Sequence, residues 1–467
     1  MPLCIRARVF YDDYDYRLVN AEQPGTNPEY GLQCGNPAIG AVSLTAIIAA
    51  HNEEHRISET LISLAEQTRP ADTIIVICDR CTDGTAAIAG SFGARVMHTT
   101  GNAYRKAGAL NQALMTVLPE LNDEDMILIM DADTALTSEF LASAEERLTK
   151  TVEPHHSFAV GAIFLAGSDC DTFSAKALQR NEYLRYAHDL NRRHGRAEVI
   201  SGTAGLFPVH ALREVSDSRG DKLPGGGYVY SLQSLTEDNE LTIALKHLGY
   251  RSASPGGCTV HTEIMPTFAT LYYQRLRWQR GALSTLREYG VTAITLPYLI
   301  RQILMYIGVL FAPFFITAAT HAIYTVGRLP WSWLWFFLGL IVIVERIWTV
   351  RGGGVKSLTL AVFVVPEVLY DIFQHYVFLR AAFDGLTGSR EHWDHIEADG
   401  SERTKIVAPQ LFIACAVALT CLSAMLCIQL GIQWVVIGVV VASGITHSAL
   451  RATSLDPLVL IHGSYRS

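Results

Sequence analysis

The sequence predicts an α/β domain with a mostly parallel central sheet, followed by an α-helical transmembrane domain. In the first half, short unbroken apolar runs alternate with helical stretches, which is typical of a parallel sheet that helices cover on both faces. From Pro297 onward the chain contains apolar segments of about 20 residues, a length that suits a bilayer span. Its 467 residues also exceed one ordinary domain of about 100 to 200 residues.

The predicted elements of the α/β domain follow one another regularly. Strands are expected at 44–50, 73–78, 94–98 and 126–130. Helices are expected between them, at 53–67, from Thr85, and at 104–117. The composition divides the whole chain into an N-terminal extension (1–42), the α/β domain (43–265), amphipathic interface helices (266–296), a transmembrane domain (297–450) and a C-terminal tail (451–467).

Charge and cysteine usage exclude several classes of function. The net charge of −8 argues against a general nucleic-acid binder, which would need a basic face. The beginning of the chain lacks the pattern of a cleaved signal, so the α/β domain is expected in the cytoplasm. Cys78 and Cys81 have the spacing of a zinc or redox half-site, but no second pair accompanies them. We therefore expect reduced thiols within an ordinary turn.

Polar residues follow the ends of the predicted strands. His51 and Glu53 come after the first strand, Asp79 closes the second, and Asp131 closes the fourth. In open parallel sheets the ligand lies beyond the carboxyl ends of the strands, so these side chains should share one rim. Taken alone, Asp79 equally suits a turn before a helix.

Two further features of this rim suit a diphosphate. Asp131 and Asp133 flank one residue of extended chain, so both carboxylates point the same way. Such oxygens bind Mg²⁺ or Mn²⁺ together with a diphosphate, whose growing charge the cation neutralises as it departs. Lys106 opens a predicted helix, where a cation and a helix N-terminus together favour phosphate. A solvated charged turn is the alternative for Lys106.

In their order and spacing, the motifs resemble those of the inverting family 2 glycosyltransferases with the A-type nucleotide-sugar fold. The matching stretches are 50–54, Asp79 with 82–85, 106–111, 131–133, 236–238 and 274–278. The last two are shared with membrane synthases of chitin, hyaluronan and poly-N-acetylglucosamine. The resemblance covers about 43–289 and implies a UDP-sugar donor and a divalent cation, Mg²⁺ or Mn²⁺.

The resemblance also implies a role for each matched residue. Donor binding falls to His51, Glu53, Asp79, Lys106 and Asp131, and metal binding to Asp133. Catalysis falls to Glu237 and Asp238, with Asp238 as general base. The acceptor and pyrophosphate platform comprises Gly202, Thr203, Gln274, Arg275, Arg277 and Trp278.

The chemistry of these side chains agrees with the implied roles. A hydroxyl is a poor nucleophile at neutral pH, so a carboxylate such as Asp238 lowers the barrier by removing its proton. One base and one displacement imply inversion at the anomeric carbon. Arg277 can bind phosphate oxygens through two nitrogens, and Trp278 can stack on a sugar face. Thr236 to Asp238 also suit a helix N-cap with acidic first-turn residues.

The second half predicts about four membrane spans. They are expected at 297–326, 331–350, 409–430 and 432–447. The segment 358–383 is apolar but contains Pro366, Glu367, Asp371 and His375, which are costly in lipid. We expect it to be re-entrant or interfacial, because the basic residues around it should then all lie on the cytoplasmic side.

Two enzymatic hypotheses follow, with an integral inner or plasma membrane location in both. The first is a polysaccharide synthase that extends a polymer processively and exports it. The second is a single-addition transferase that glycosylates a lipid headgroup. A non-catalytic scaffold would have lost its functional carboxylates, yet Asp133 and Asp238 are present.

Overall fold

A computed structural model describes residues 42–149, 158–165, 174–326 and 333–387. Its strands are β1 (Leu44–Ala50), β2 (Thr73–Cys78), β3 (Arg95–His98), β4 (Met126–Asp131), β5 (Ala135–Leu136), β6 (Phe158–Gly161), β7 (Ile163–Leu165), β8 (Ala204–Pro208), β9 (Arg251–Ala253) and β10 (Thr259–His261). Its helices in the α/β part are α1 (Ile57–Ala65), α2 (Thr85–Ser91), α3 (Arg105–Val117), α4 (Phe140–Thr149), α5 (Ala175–Arg192), α6 (Val209–Ser218), α7 (Glu237–His247) and α8 (Phe268–Tyr289). Four more helices follow: α9 (Leu296–Val326), α10 (Trp333–Thr349), α11 (Gly354–Phe363) and α12 (Val365–Thr387).

The central sheet has seven strands in the order β3-β2-β1-β4-β8-β6-β9. Strands β1 to β4 pair in parallel, whereas β8 runs antiparallel to both of its neighbours. A second sheet joins β5, β10 and β7. The predicted α/β fold with a mostly parallel sheet is thus confirmed, and the four predicted strands lie within one residue of their expected bounds.

The strands that border the rim end level with one another. Ala50 pairs with Cys78 on β2, and Ala49 pairs with Asp131 on β4. Residues that follow these strands therefore emerge side by side, which places the loops after β1, β2 and β4 at one edge.

The central strands are apolar throughout because both faces of the sheet are covered. Along β1, Leu44, Ala46 and Ile48 pack into one buried cluster with α1 and α4. Ile47 points the other way, into a cluster built with α3, α6 and α7. Alternate residues of an extended strand face opposite sides, so an apolar side chain is needed at nearly every position.

The helix predicted at 53–67 begins later, at Ile57, and the prediction of its start is wrong. The preceding loop is bound to the loop after β2 instead. The Glu53 amide donates to Thr85 Oγ1 at 2.8 Å, and Glu54 Oε2 accepts from the Gly84 amide at 2.8 Å. These contacts span the sheet edge, so periodicity along the chain carries no signal of them.

The first two predicted membrane segments correspond to α9 and α10. The segment predicted as re-entrant or interfacial forms two helices, which break at Val364 with a φ of +55°. Within the described residues, no helix is both long and apolar enough to cross a membrane. The predicted spans at 409–430 and 432–447 lie outside the described residues.

Helix α12 is held to the α/β part by buried polar contacts. Glu367 is 2% exposed, and its carboxylate accepts from Asn181 Nδ2 at 3.1 Å and from Arg346 Nη1 at 2.9 Å. It also pairs with Arg185 of α5. The glutamate that would be costly in lipid therefore lies inside the protein, as such residues usually do.

A second buried ion pair joins α7 to the chain that precedes it. The side chains of Arg219 and Glu240 are 1% and 0% exposed. Two nitrogens of Arg219 reach the two Glu240 oxygens at 2.5 and 2.8 Å, and the Tyr289 hydroxyl donates to Glu240 at 2.5 Å. Removing one charge from such a pair leaves the other buried and uncompensated.

We therefore predict that Glu240→Gln lowers the free energy of unfolding by about 3–5 kcal/mol. Urea denaturation of the full-length protein measures the effect. The control is Glu120→Gln, whose partner Arg95 is 47% exposed; that change should cost at most about 1 kcal/mol. Equal costs for the two substitutions would contradict the prediction.

Candidate active site

The site is centred on the ammonium group of Lys106, at the start of α3. Its Nζ lies 2.6 Å from Asp131 Oδ1 and 3.3 Å from Glu237 Oε1. It also donates to the Gly202 carbonyl at 2.9 Å. Four segments that are distant in sequence thus meet at one cation, and the sheet edge is what brings them together.

Asp238 lies next to this cation, in the first turn of α7. Its Oδ2 accepts from the Gly202 amide at 3.0 Å, and its Oδ1 accepts from the Asn239 amide at 2.7 Å. A Cβ added at Gly202 would lie 3.0 Å from Asp238 Oδ2, so a side chain there would crowd the carboxylate. Glycine permits the close approach of the loop backbone to Asp238.

The two neighbouring carboxylates of α7 have pKa values shifted in opposite directions. Burial raises the pKa of Asp238, and the charge of Glu237 adds to this effect. Burial is the largest influence on Glu237 and acts to raise its pKa, but the charge of Lys106, hydrogen bonds and the charge of Arg277 together outweigh it, so the pKa lies below its ordinary value. Glu237 is therefore held ionised, while Asp238 has an increased affinity for a proton, which suits a base.

A second acidic group lies at the edge formed by the loops after β1 and β4. Burial and then the charge of Asp133 raise the pKa of Glu53 to about 7, and Asp131 adds to the repulsion. Arg56 opposes the shift and pairs with Glu263 at 2.9 Å. Carboxylates that repel one another in this way form a region that favours a cation.

The fit to a metal ion rests on oxygen donors from the protein and the ligand together. Among the described residues, no group of three or more histidine, cysteine, aspartate or glutamate side chains lies close enough to hold a metal. Mg²⁺ and Mn²⁺ commonly bind through one or two carboxylates plus substrate phosphates, which does not require such a group. Asp133, beside Glu53 and Asp131, fits this mode of binding.

The loops after β1 and β2 hold the predicted donor-binding residues His51 and Asp79. His51 Nδ1 lies 2.5 Å from the Asp79 carbonyl, and Asp79 Oδ1 accepts from Thr99 Oγ1 at 2.7 Å. Asn52 has a φ of +56°, and its Oδ1 accepts from the Thr82 amide at 2.8 Å. The rim therefore has a fixed backbone shape at the edge of the sheet.

The predicted platform residues on α8 point in two directions. Arg277 faces the site, because its charge helps to lower the pKa of Glu237. At 100° per residue, Gln274 lies about 60° from Arg277 around the helix, whereas Trp278 and Arg275 are turned about 100° and about 160° from it. The Gln274 Oε1 atom is buried and has no hydrogen-bond partner among the described residues.

Arg275 instead binds residues of the neighbouring helix α5. It pairs with Glu182 at 2.8 Å, and its guanidinium lies 4.5 Å from the Trp278 ring and 5.9 Å from the Tyr183 ring. These contacts of Arg275, which was predicted as a platform residue, are directed away from Lys106 and its partners. Its partly buried pair with Glu182 gives it a structural role in joining α8 to α5.

The other two platform residues belong to the loop before β8. Gly202 contacts both Lys106 and Asp238, as described above. The Thr203 carbonyl accepts from the Asp131 amide at 2.9 Å, and the Thr203 hydroxyl lies 2.8 Å from Ser201 Oγ. Through these hydrogen bonds, the loop before β8 holds the end of β4 and the start of α7 close together.

The sequence pattern did not indicate one residue of the site, Tyr230. It is 4% exposed and lines the same small void as Lys106, Gly202 and Asp238. Burial, together with the charge of Glu237, raises the pKa of its phenol, which therefore stays neutral. Tyr230 follows a run of three glycines, and that run was the only available signal of a tightly placed loop.

Comparison with known families identifies the α/β part. The sequence model described as glycosyltransferase-like family 2 matches residues 41–281, which is more than half of the chain.

Individual relatives are more distant. A 4,4'-diaponeurosporenoate glycosyltransferase of Staphylococcus aureus strain MRSA252 is 35% identical over 122 residues, which are 24% of this chain and 32% of that protein. The match thus spans about a third of the length of these curated relatives.

Among solved structures, the chain is similar to two transferases at low identity. A Pyrobaculum calidifontis mannosyltransferase, in complex with GDP-Man and Mn²⁺, has a TM-score of 0.45 and 16% identity, over 79% of this chain and 92% of that one. Glucosyl-3-phosphoglycerate synthase from Mycobacterium tuberculosis, with Mn²⁺ and UDP, has a TM-score of 0.35 and 14% identity, over 58% and 87%.

The raised pKa of Glu53 predicts a pH-dependent change in stability. Its folded-state pKa of about 7 exceeds the ordinary 4.5, so the folded protein binds this proton more tightly than the unfolded chain. The stabilisation is complete below about pH 4.5 and is lost as the pH rises through about 7.

We therefore expect Glu53→Gln to become more stable relative to the unmodified protein as the pH rises through this window. Thermal unfolding of both proteins in EDTA, from about pH 5 to about pH 8, measures the difference. The chelator removes any cation that would otherwise compensate the ionised carboxylates. A difference that stays constant across this range would contradict the assigned pKa.

Proposed function

Because the chain belongs to the family 2-like glycosyltransferases, we propose that it transfers a sugar from a UDP-sugar donor to an acceptor hydroxyl with inversion. The observation that carries this proposal is the meeting of Asp131, Gly202 and Glu237 at Lys106. It brings the motifs expected for donor binding within reach of the motif expected for catalysis.

In the proposed reaction, Asp238 is the general base. Its raised pKa gives the carboxylate the proton affinity that the task requires, and its hydrogen bonds from the Gly202 and Asn239 amides orient it. As the acceptor oxygen bonds to the anomeric carbon, its proton passes to Asp238 and the bond to the diphosphate breaks. Glu237, which the charge of Lys106 helps to keep ionised, in turn stabilises the positive charge of Lys106.

On the donor side, the rim residues bind the nucleotide and the diphosphate. We assign the uridine to the loops that carry His51, Glu53 and Asp79, and the diphosphate to Lys106 and Arg277. Asp133 would hold Mg²⁺ or Mn²⁺ there, with Asp131 nearby. When bound, such a cation stabilises the negative charge that develops on the departing diphosphate.

We further propose that the enzyme works at the cytoplasmic face of a membrane. Helices α9 to α12 expose large apolar side chains, among them Ile303, Phe337, Ile341, Phe363 and Leu369. Exposed apolar surface of this kind suits contact with lipid. Because α12 packs on α8, the membrane-facing helices adjoin the helix that carries Arg277 and Trp278.

For the acceptor, we propose a growing polysaccharide that is extended processively and exported. The alternative is one addition to a lipid headgroup. The Staphylococcus aureus relatives favour the alternative in one respect, since their printed name specifies one compound, 4,4'-diaponeurosporenoate, rather than a polymer.

The first prediction from this proposal concerns the base. Asp238→Asn should lower the rate of transfer by about 10²- to 10⁴-fold, because no carboxylate then accepts the proton. Binding of UDP, measured by equilibrium titration, should persist. Asp221→Asn, an exposed carboxylate on the loop after α6, is the control and should keep full activity. Unchanged turnover in Asp238→Asn would remove the assignment.

The second prediction concerns the metal. EDTA should stop UDP release from a panel of UDP-sugars, and Mn²⁺ or Mg²⁺ should restore it. Asp133→Asn should raise the cation concentration needed by at least about tenfold, since even outer-shell changes cost roughly 10- to 100-fold in metal affinity. Full activity in EDTA would contradict the proposed cofactor.

The third prediction separates the two acceptors. The purified protein in detergent, given a radiolabelled UDP-sugar, should yield a ladder of products when resolved by size. A single labelled product that partitions into organic solvent would instead support the lipid alternative.

A further inference from the structure

The segment Tyr228–Tyr230, here called the wall segment, belongs to no helix or strand, and its last two residues are buried. Val229 and Tyr230 are 3% and 4% exposed. Buried irregular backbone is costly unless hydrogen bonds satisfy its polar groups.

Two side chains from elsewhere bind the wall segment through four hydrogen bonds. Arg219 donates from Nε to the Tyr228 carbonyl at 3.1 Å and from Nη2 to the Val229 carbonyl at 2.7 Å. Asn111 of α3 donates to the Tyr230 carbonyl and accepts from the Tyr230 amide, both at 2.9 Å. Consecutive residues of the segment are therefore fixed, although no regular structure holds them.

The wall segment has a different space on each side. Tyr230 lines the inner void with Lys106, Gly202 and Asp238, and this void has a volume of about 10 Å³. That is close to the smallest space that admits one water molecule. Tyr228 and Val229 line an outer groove of about 320 Å³ between α3 and α6, which is open to solvent.

On the inner side of the wall segment, water beside Asp238 would hydrolyse the donor. A base that activates an acceptor hydroxyl activates water equally well. A water oxygen would then bond to the anomeric carbon, its proton would pass to Asp238, and the diphosphate would leave with the electron pair of the broken bond. The products would be free sugar and nucleoside diphosphate, and the donor would be wasted.

We propose that the wall segment is a water barrier, in which the Tyr230 ring closes the inner void against the outer groove and Asn111 holds that ring in place. This inference rests on the proposed function. It assigns Tyr230 as a residue that decides between transfer and hydrolysis, and Asn111 as a positioning residue that acts through Tyr230.

The test is the partition of donor between hydrolysis and transfer in the full-length protein. UDP-[¹⁴C]GlcNAc and UDP-[¹⁴C]glucose serve in turn as probes, and free labelled sugar is counted against labelled product. Tyr230→Ala should raise the ratio of hydrolysis to transfer about tenfold, which corresponds to about 1.4 kcal/mol in relative barriers. The hydrolysis rate per UDP-binding site should itself rise.

Three further variants sharpen the result. Tyr230→Phe keeps the ring and should leave the ratio unchanged, whereas Asn111→Ala should raise it, because it frees the segment while retaining the ring. Val215→Ala, a buried change on α6 that touches neither space, should lower the yield of folded protein without altering the ratio. Since the ratio is independent of the folded fraction, Asn111→Ala still decides the matter if Tyr230→Ala folds poorly.

Several outcomes would contradict the proposal that the wall segment is a water barrier. An unchanged ratio in both Tyr230→Ala and Asn111→Ala would do so, as would a ratio that rises only because transfer falls. An equal rise in Tyr230→Phe would assign the effect to the hydroxyl rather than to the ring. If the unmodified protein releases UDP from no UDP-sugar, the proposed function itself fails and the barrier fails with it.

Discussion

One cation, the Lys106 ammonium, allows the acidic residues of the site to lie together. Asp131 and Glu237 come from distant stretches of the α/β part, and without a shared positive charge their carboxylates would repel each other across a buried space. The contact between Lys106 and Glu237 also helps to lower the pKa of Glu237, whereas the pKa of Asp238 is raised. Two adjacent carboxylates whose environments shift their pKa values apart can take different chemical roles, one as a fixed charge and one as a base.

The geometry of the base depends in turn on how α7 is held. Glu240, near its beginning, is bound by Arg219, and Arg219 also binds the carbonyls of the wall segment. Lys246, near its end, donates to the Tyr298 hydroxyl of α9 at 2.7 Å. A catalytic group on a helix fixed at both ends is placed more accurately than one on a loop. The contacts that stabilise α7 therefore also position Asp238.

The parts of this protein that sequence could predict are those governed by local pattern. The parallel strands, their ends and the carboxylates after them follow from apolar runs and from the general geometry of open sheets. The start of α1, the placement of Arg275 and the burial of Tyr230 depend instead on contacts between distant segments. Arg275 matched a motif, but its partner Glu182 lies on another helix, and nothing in either stretch marks the pair.

The polar residues of α12 limit where that helix can lie. Asp384 is 3% exposed and binds Arg280 of α8 and Arg380 of its own helix, while Glu367 binds α5 and α10. Moving α12 away from the α/β part would separate these charges from their partners, and an unpaired charge is more costly in lipid than in water. Its apolar residues, such as Leu369, therefore meet their surroundings only from the side that faces away from α8 and α5. The helix thus exposes apolar side chains on one side and packs on α8, the helix that carries Arg277 and Trp278, on the other.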